Sequence, residues 1–94
     1  MTPLSWSLPA QRDIARIAAQ LDEIDPVLAA RTVFQIRSSS WRLREFPLSA
    51  PRIGRSSFRK LVVAGAPYLL VHQLVDQKIF VVRVRHAHED WSPR

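Results

Sequence analysis

The sequence predicts an α+β fold of order β-α-α-β-β-β, in which a helical hairpin packs on one face of an antiparallel sheet. Three observations carry that expectation. Apolar residues recur at helical spacing between residues 10 and 23, an Asp-Pro pair at Asp25-Pro26 restarts the helical pattern, and three β-rich runs separated by short turns follow residue 58. The 94 residues suffice for one core, so residues 1–94 read as a single domain.

Leu4, Trp6 and Leu8 alternate with Ser5 and Ser7, the pattern of a short half-buried strand that Pro9 ends. From Ala10 to Glu23, Ile14, Ile17, Ala18 and Leu21 form an amphipathic stripe with Arg12, Arg16, Gln20 and Glu23 off it. Asp25 then supplies a capping carboxylate, and Pro26 occupies a first helical position where a missing N–H costs nothing. A second helix therefore opens there. Ala29, Ala30, Val33, Ile36 and Leu43 keep its spacing as far as Glu45, with Ser38, Ser39 and Ser40 as a polar interruption. Phe46-Pro47 and the stretch SAPRIGRSS read as a loop. Strands are expected over Phe58 to Val63, Pro67 to Val75 and Ile79 to His86, with residues 64–66 as the first turn.

An even-length turn around Asp76-Gln77 sets Leu70 opposite Arg83 and Tyr68 opposite Arg85, whereas a three-residue turn would swap the faces of one strand relative to the other. Tyr68, Leu70, His72, Leu74, Ile79, Val81, Arg83 and Arg85 then share one face. The opposite face, with Leu69, Val71, Phe80, Val82 and Val84, is the more continuously apolar and is expected to receive the helices. On that register the arginines, Tyr68 and His72 point outward or into a cleft.

Composition narrows the function classes. A hydrophobic fraction of 47% with two glycines excludes a disordered chain. The absence of cysteine removes disulfides and thiolate metal sites, which suits a reducing cytoplasm. Neither a leader pattern nor a membrane-length apolar run is visible, so a soluble cytoplasmic protein is expected. Fourteen Lys and Arg against eight Asp and Glu give a formal charge of +6, and all the cations except Lys60 and Lys78 are arginine. That balance suits nucleic acid or an acidic protein partner.

Cleavage of RNA through its own 2′-hydroxyl needs a base, an acid and cations for the phosphorane charge. His72 or His86 with Arg83, Arg85, Arg59 and Tyr68 are the candidates for those roles. As solvated positions or partner contacts on a basic sheet face they are equally at home, and that reading is preferred. His86, His88, Glu89 and Asp90 fix no complete ligand set, so no metal or other cofactor is assigned. Trp6 and Trp91 are read as packing anchors.

The segments GRSSFRKLVVAGAPYLLVHQ and IFVVRVRHAHEDW resemble the C-terminal half of ParE toxins. The likeness rests on Gly54 and Arg55 before a strand, Pro67-Tyr68 opening the next, and a last strand ending in His86 with Asp90 and Trp91 beyond it. The Ile14, Ile17 and Leu21 stripe, the Asp25-Pro26 restart and the Phe46-Pro47 exit extend it over nearly the whole chain. His72-Gln73 stands where that family usually has Tyr-Arg. The resemblance implies a toxin of the RelE/ParE superfamily, one half of a type II toxin–antitoxin pair of the kind associated with plasmid stabilization. It implies inhibition of DNA gyrase by binding, as a non-enzyme, with mRNA cleavage on the ribosome, the RelE activity, as the alternative. It further implies a hetero-oligomer with a ParD-like antitoxin. Such an antitoxin's acidic C-terminal segment would dock on arginines such as Arg12, Arg16, Arg31 and Arg37.

Overall fold

The computed structural model describes residues 1–88. The chain runs through β1 (Leu4–Trp6), α1 (Leu8–Asp22), α2 (Pro26–Glu45), β2 (Arg59–Val62), β3 (Tyr68–Val75) and β4 (Lys78–His86). The four strands form one sheet of order β1-β4-β3-β2.

Both helix starts follow from local chemistry. Ser7 caps α1 by accepting from the Ala10 N–H at 3.1 Å, and Pro9 falls in the first turn, where its missing N–H is no loss. Leu8, expected as the last strand residue, is therefore the first helical one, and it is exposed. At α2, the Asp25 carboxylate accepts from the Val27 N–H at 3.0 Å. The three serines do not interrupt that helix. Each Oγ donates back to the carbonyl three residues earlier, Ser38 to Gln35, Ser39 to Ile36 and Ser40 to Arg37, so their polar groups are satisfied inside it. The buried side of α2 is Ala29, Thr32, Ile36, Ser40 and Leu43, while Ala30 is exposed.

The sheet is antiparallel from β2 through β4, and β1 joins it parallel to β4, with Leu4 opposite Ile79 and Trp6 opposite Val81. The intervening helical hairpin carries the chain back across the sheet, as a parallel pairing requires. Ala10, Ile14 and Ile17 of α1 meet Ile36 and Leu43 of α2 over Leu61, Leu70, Ile79, Val81 and Val84 of the sheet. Trp6 packs at the margin of that core, as an anchor should, and Trp91 lies outside the described residues. The opposite sheet face has its own cover. Ile53 and Phe58, from the segment between α2 and β2, pack there on Leu69, Val71 and Val82.

The expected assignment of the two faces is thus reversed for β3 and for the first half of β4, where Ile79 and Val81 lie under the helices. Leu70 lies under the helices with Tyr68 and Leu74 packed beside it, whereas Leu69 and Val71 face Ile53 and Phe58. Both sides of this strand are apolar, so alternation alone does not tell which one the helices take. The turn has the expected even length, being two residues, but beyond it the pairing slips by one. His72 pairs with Val81 and Val71 with Arg83, leaving Val82 as an extra residue on β4, so Leu70 meets Val84 and Tyr68 meets His86.

Two turns need left-handed backbone. Gly65 has φ +79°, and a Cβ there would lie 2.8 Å from Gln35 Nε2 of α2. At the β3–β4 hairpin Asp76 and Gln77 take φ of 50° and 63° without being glycine. That geometry matches the twist of the hairpin and carries a steric cost for a side chain at the second position. Gln77→Gly should therefore raise unfolding free energy by roughly 0.5–1 kcal/mol, read by urea denaturation. A loss of stability would show that the Gln77 side chain makes contacts worth more than the strain.

Candidate functional site

The most constrained charged group is Asp13, on the buried side of α1 and 1% exposed. Its Oδ2 accepts from Arg83 Nε at 2.8 Å and from the Val84 N–H at 2.9 Å. Its Oδ1 accepts from Arg83 Nη2 at 3.0 Å and from Arg16 Nη2 at 3.2 Å. Burial alone would raise the carboxyl pKa. The hydrogen bonds from Arg83 and the Val84 N–H, together with the charges of Arg83 and Arg16, outweigh that effect and hold it below the usual carboxylate range. Sequence reading passed over Asp13. The available signal was its place between Ala10 and Ile14 on the apolar stripe, where a carboxylate demands a cation from another element.

The residues proposed for acid–base work do not assemble on one open face. His72 is 1% exposed on the helix side of β3, against the expectation that it faces outward. Burial first, and the Arg59 charge second, lower its pKa from 6.5 to about 4, so it is neutral at pH 7. Its Nε2 has no hydrogen-bond partner among the described residues. Arg59 donates to the carbonyls of Ala50 at 2.7 Å and Leu48 at 3.3 Å, tying down the segment that follows α2. Arg83 grips Asp13, and Arg85 stands opposite Leu69, on the other side of the sheet from His72.

Tyr68 and His86 do meet. They are cross-strand partners whose rings contact edge to face at 5.4 Å, and the His88 N–H donates to His86 Nδ1 at 3.2 Å. Together with Arg16, Ile17, Gln20 and Val84 they line a cleft between α1 and the end of β4. Glu89 and Asp90, the other members of the histidine-rich cluster, lie outside the described residues.

Of the proposed docking arginines, Arg12, Arg31 and Arg37 are exposed, and Arg16 is half-exposed despite its contact with Asp13. The Arg37 guanidinium stacks over Trp6 at 5.6 Å, and Arg44 does the same over Trp41 at 5.1 Å. Between these cations the outer side of α2 presents Val27, Phe34 and Trp41, which are 73%, 71% and 54% exposed. A spacing of seven residues sets them in one row along the helix. Sequence reading missed this row because it followed only the inward stripe. Among the described residues, no helix is long and apolar enough to cross a membrane.

This fold, two helices on a four-stranded sheet, is that of RelE/ParE-like toxins. Residues 4–91 match the family model of the ParE toxin of type II toxin–antitoxin systems, and the chain belongs to that family. It is 36% identical over 89 residues to Y4kP of Sinorhizobium fredii, a protein provisionally assigned as a toxin, covering 94% of this chain and 91% of the relative. It is 28% identical over 87 residues to toxin RelE2 of Caulobacter vibrioides, covering 93% of this chain and 97% of that one. Among solved structures, the fold matches a chain of the chromosomal ParDE system from P. aeruginosa with TM-score 0.81 at 21% identity, over 94% of this chain and 98% of that one. It also matches a chain of the E. coli RelBE toxin–antitoxin complex with TM-score 0.64 at 19% identity, over 95% and 100%.

Two stability measurements check the site. Asp13→Ala should cost about 3 kcal/mol, because it leaves Arg83 and the Val84 N–H without their buried acceptor. A cost below about 1 kcal/mol would mean that the clamp is dispensable. The second concerns pH. The unfolded chain protonates His72 near its ordinary 6.5 while the folded chain resists until about 4, so folding is fully favoured above pH 6.5 and weakens as pH falls. The loss should reach about 3 kcal/mol by pH 4. Asp13, whose folded pKa is lowered, adds a further loss only below the ordinary carboxylate range. His72→Leu should flatten the profile between pH 6.5 and 4, and an unchanged slope would assign the acid sensitivity elsewhere.

Proposed function

We propose that this toxin acts by binding DNA gyrase and that a cognate antitoxin with an acidic C-terminal segment holds it inactive. The observation that carries the reading is that three of the six acid–base candidates are engaged inside the fold: His72 is sealed in the core, and Arg59 and Arg83 are bonded to carbonyls and to Asp13. Proton transfer needs a group that reaches its substrate, and binding does not. Membership of the ParE family supports the same conclusion.

For the antitoxin, the row Val27, Phe34 and Trp41 with Arg31 and Arg37 on its flanks supports a site for an amphipathic acidic helix. Apolar anchors would supply most of the affinity, and the arginines would supply register and salt sensitivity. The alternative activity, ribosome-dependent mRNA cleavage, draws its support from the Tyr68–His86 contact beside Arg16 and from the likeness to toxin RelE2.

Purified toxin should inhibit supercoiling by gyrase, and His86→Gln should remain inhibitory and toxic. Ribosome-dependent cutting of mRNA by the wild-type chain, abolished in His86→Gln with gyrase unaffected in both, would replace this reading with the alternative. Phe34→Glu should weaken binding of the antitoxin encoded beside this gene at least about tenfold, by calorimetry, with melting temperature unchanged. Unaltered affinity would remove α2 from the antitoxin surface.

A further inference from the structure

We propose that the cleft between α1 and the end of β4 is a binding site for a phosphoryl group, with Arg16, Gln20 and Tyr68 as its donors. This goes beyond gyrase binding and does not depend on it. The cleft is walled by Ile17 and Val84, and among the described residues its polar lining is Arg16, Gln20, Tyr68 and His86, with no carboxylate among them. Asp13, the acid that Arg16 touches, is already gripped by Arg83 through two nitrogens. What the cleft offers is donors, and they suit an oxyanion.

Arg16 is held for the task. One nitrogen, Nη2, rests on Asp13 at 3.2 Å, which orients the guanidinium while the side chain stays half-exposed. An oriented cation loses less entropy on binding than a mobile surface arginine. The phenol of Tyr68 is oriented too, by its edge-to-face contact with His86.

Geometry favours phosphate over carboxylate. The donors come from α1 on one side and β3 on the other, so they approach a ligand from different directions. A planar carboxylate is best held by the two-pronged fork of one guanidinium, and one prong of Arg16, Nη2, already rests on Asp13. A tetrahedral oxyanion accepts from several directions at once. The net charge of +6 supplies a favourable field for either source of such a group, a nucleic-acid backbone or a free nucleotide.

The test is an NMR titration of the purified chain with inorganic phosphate, ATP and a short single-stranded DNA, following the amides of Ile17, Gln20, Tyr68 and Val84. Phosphate and at least one of the larger ligands should shift these amides first, and acetate at equal ionic strength should not. Arg16→Gln should weaken binding about tenfold, the size of a lost charge-assisted hydrogen bond. Tyr68→Phe, which removes only a hydroxyl, should weaken it roughly threefold and keeps the test valid if Arg16→Gln lowers stability. Arg55→Gln, an exposed loop charge, should change it less than about twofold. Tighter binding of DNA than of ATP identifies the backbone as the source, and the reverse identifies the nucleotide. Equal losses from Arg16→Gln and Arg55→Gln, or acetate and a polyglutamate peptide binding as well as phosphate, would overturn the proposal.

Discussion

The clamp between Asp13 and Arg83 organises the fold around it. It joins the first helix to the last strand across 70 residues of sequence and satisfies the Val84 N–H beside the bulge. A buried N–H next to an extra strand residue needs an acceptor, and the carboxylate is that acceptor. Two residues away, Ser7 Oγ donates to the Val82 carbonyl at 2.9 Å, so the cap of α1 and its second turn together fasten both sides of the irregularity. The bulge in turn brings Val84 inward onto the helices, and it sets Tyr68 against His86. The geometry of the cleft therefore follows from one buried acid.

The same clamp explains which features were legible in the sequence. The two helices, the Asp25-Pro26 start and the two-residue turn at Asp76-Gln77 are decided within a few residues, and local chemistry suffices to read them. The faces of β3 were not legible. Leu69 and Val71 are as apolar as Leu70 and Leu74, because Ile53 and Phe58 cover one side as the helices cover the other. The bulge at Val82 was not legible either, since it answers to Asp13 in a distant element. Taking the wrong face of β3 moves His72 from core to surface, which is how a buried neutral imidazole came to be grouped with reactive side chains.

Arginine content is likewise a poor guide to where function sits. Arg59 and Arg83 hold backbone and carboxylate inside the fold, and Arg37 and Arg44 lie on indole rings. Arg12 and Arg31 are exposed on the helices, and Arg16 stands between the two classes, resting on Asp13 at the mouth of the cleft. A basic ParE-family toxin sorted in this way carries an apolar row and scattered cations on its surface, while its most constrained charges serve the fold. That division supports the binding mechanism proposed above.

If Arg83 serves the fold through Asp13 and is not a reacting cation, the pair should be replaceable as a unit. The double variant Asp13→Asn/Arg83→Met, set against both single variants in a denaturation cycle and in a growth-inhibition assay, puts this to the test. The asparagine amide oxygen would still accept from the Val84 N–H, and both charges would be gone together. We expect a coupling of about 2 kcal/mol between the two positions, with the double variant more stable than the singles add up to and still toxic. A double variant that folds as well as the wild type but no longer inhibits growth, or a coupling near zero, would show instead that Arg83 has a role outside the fold.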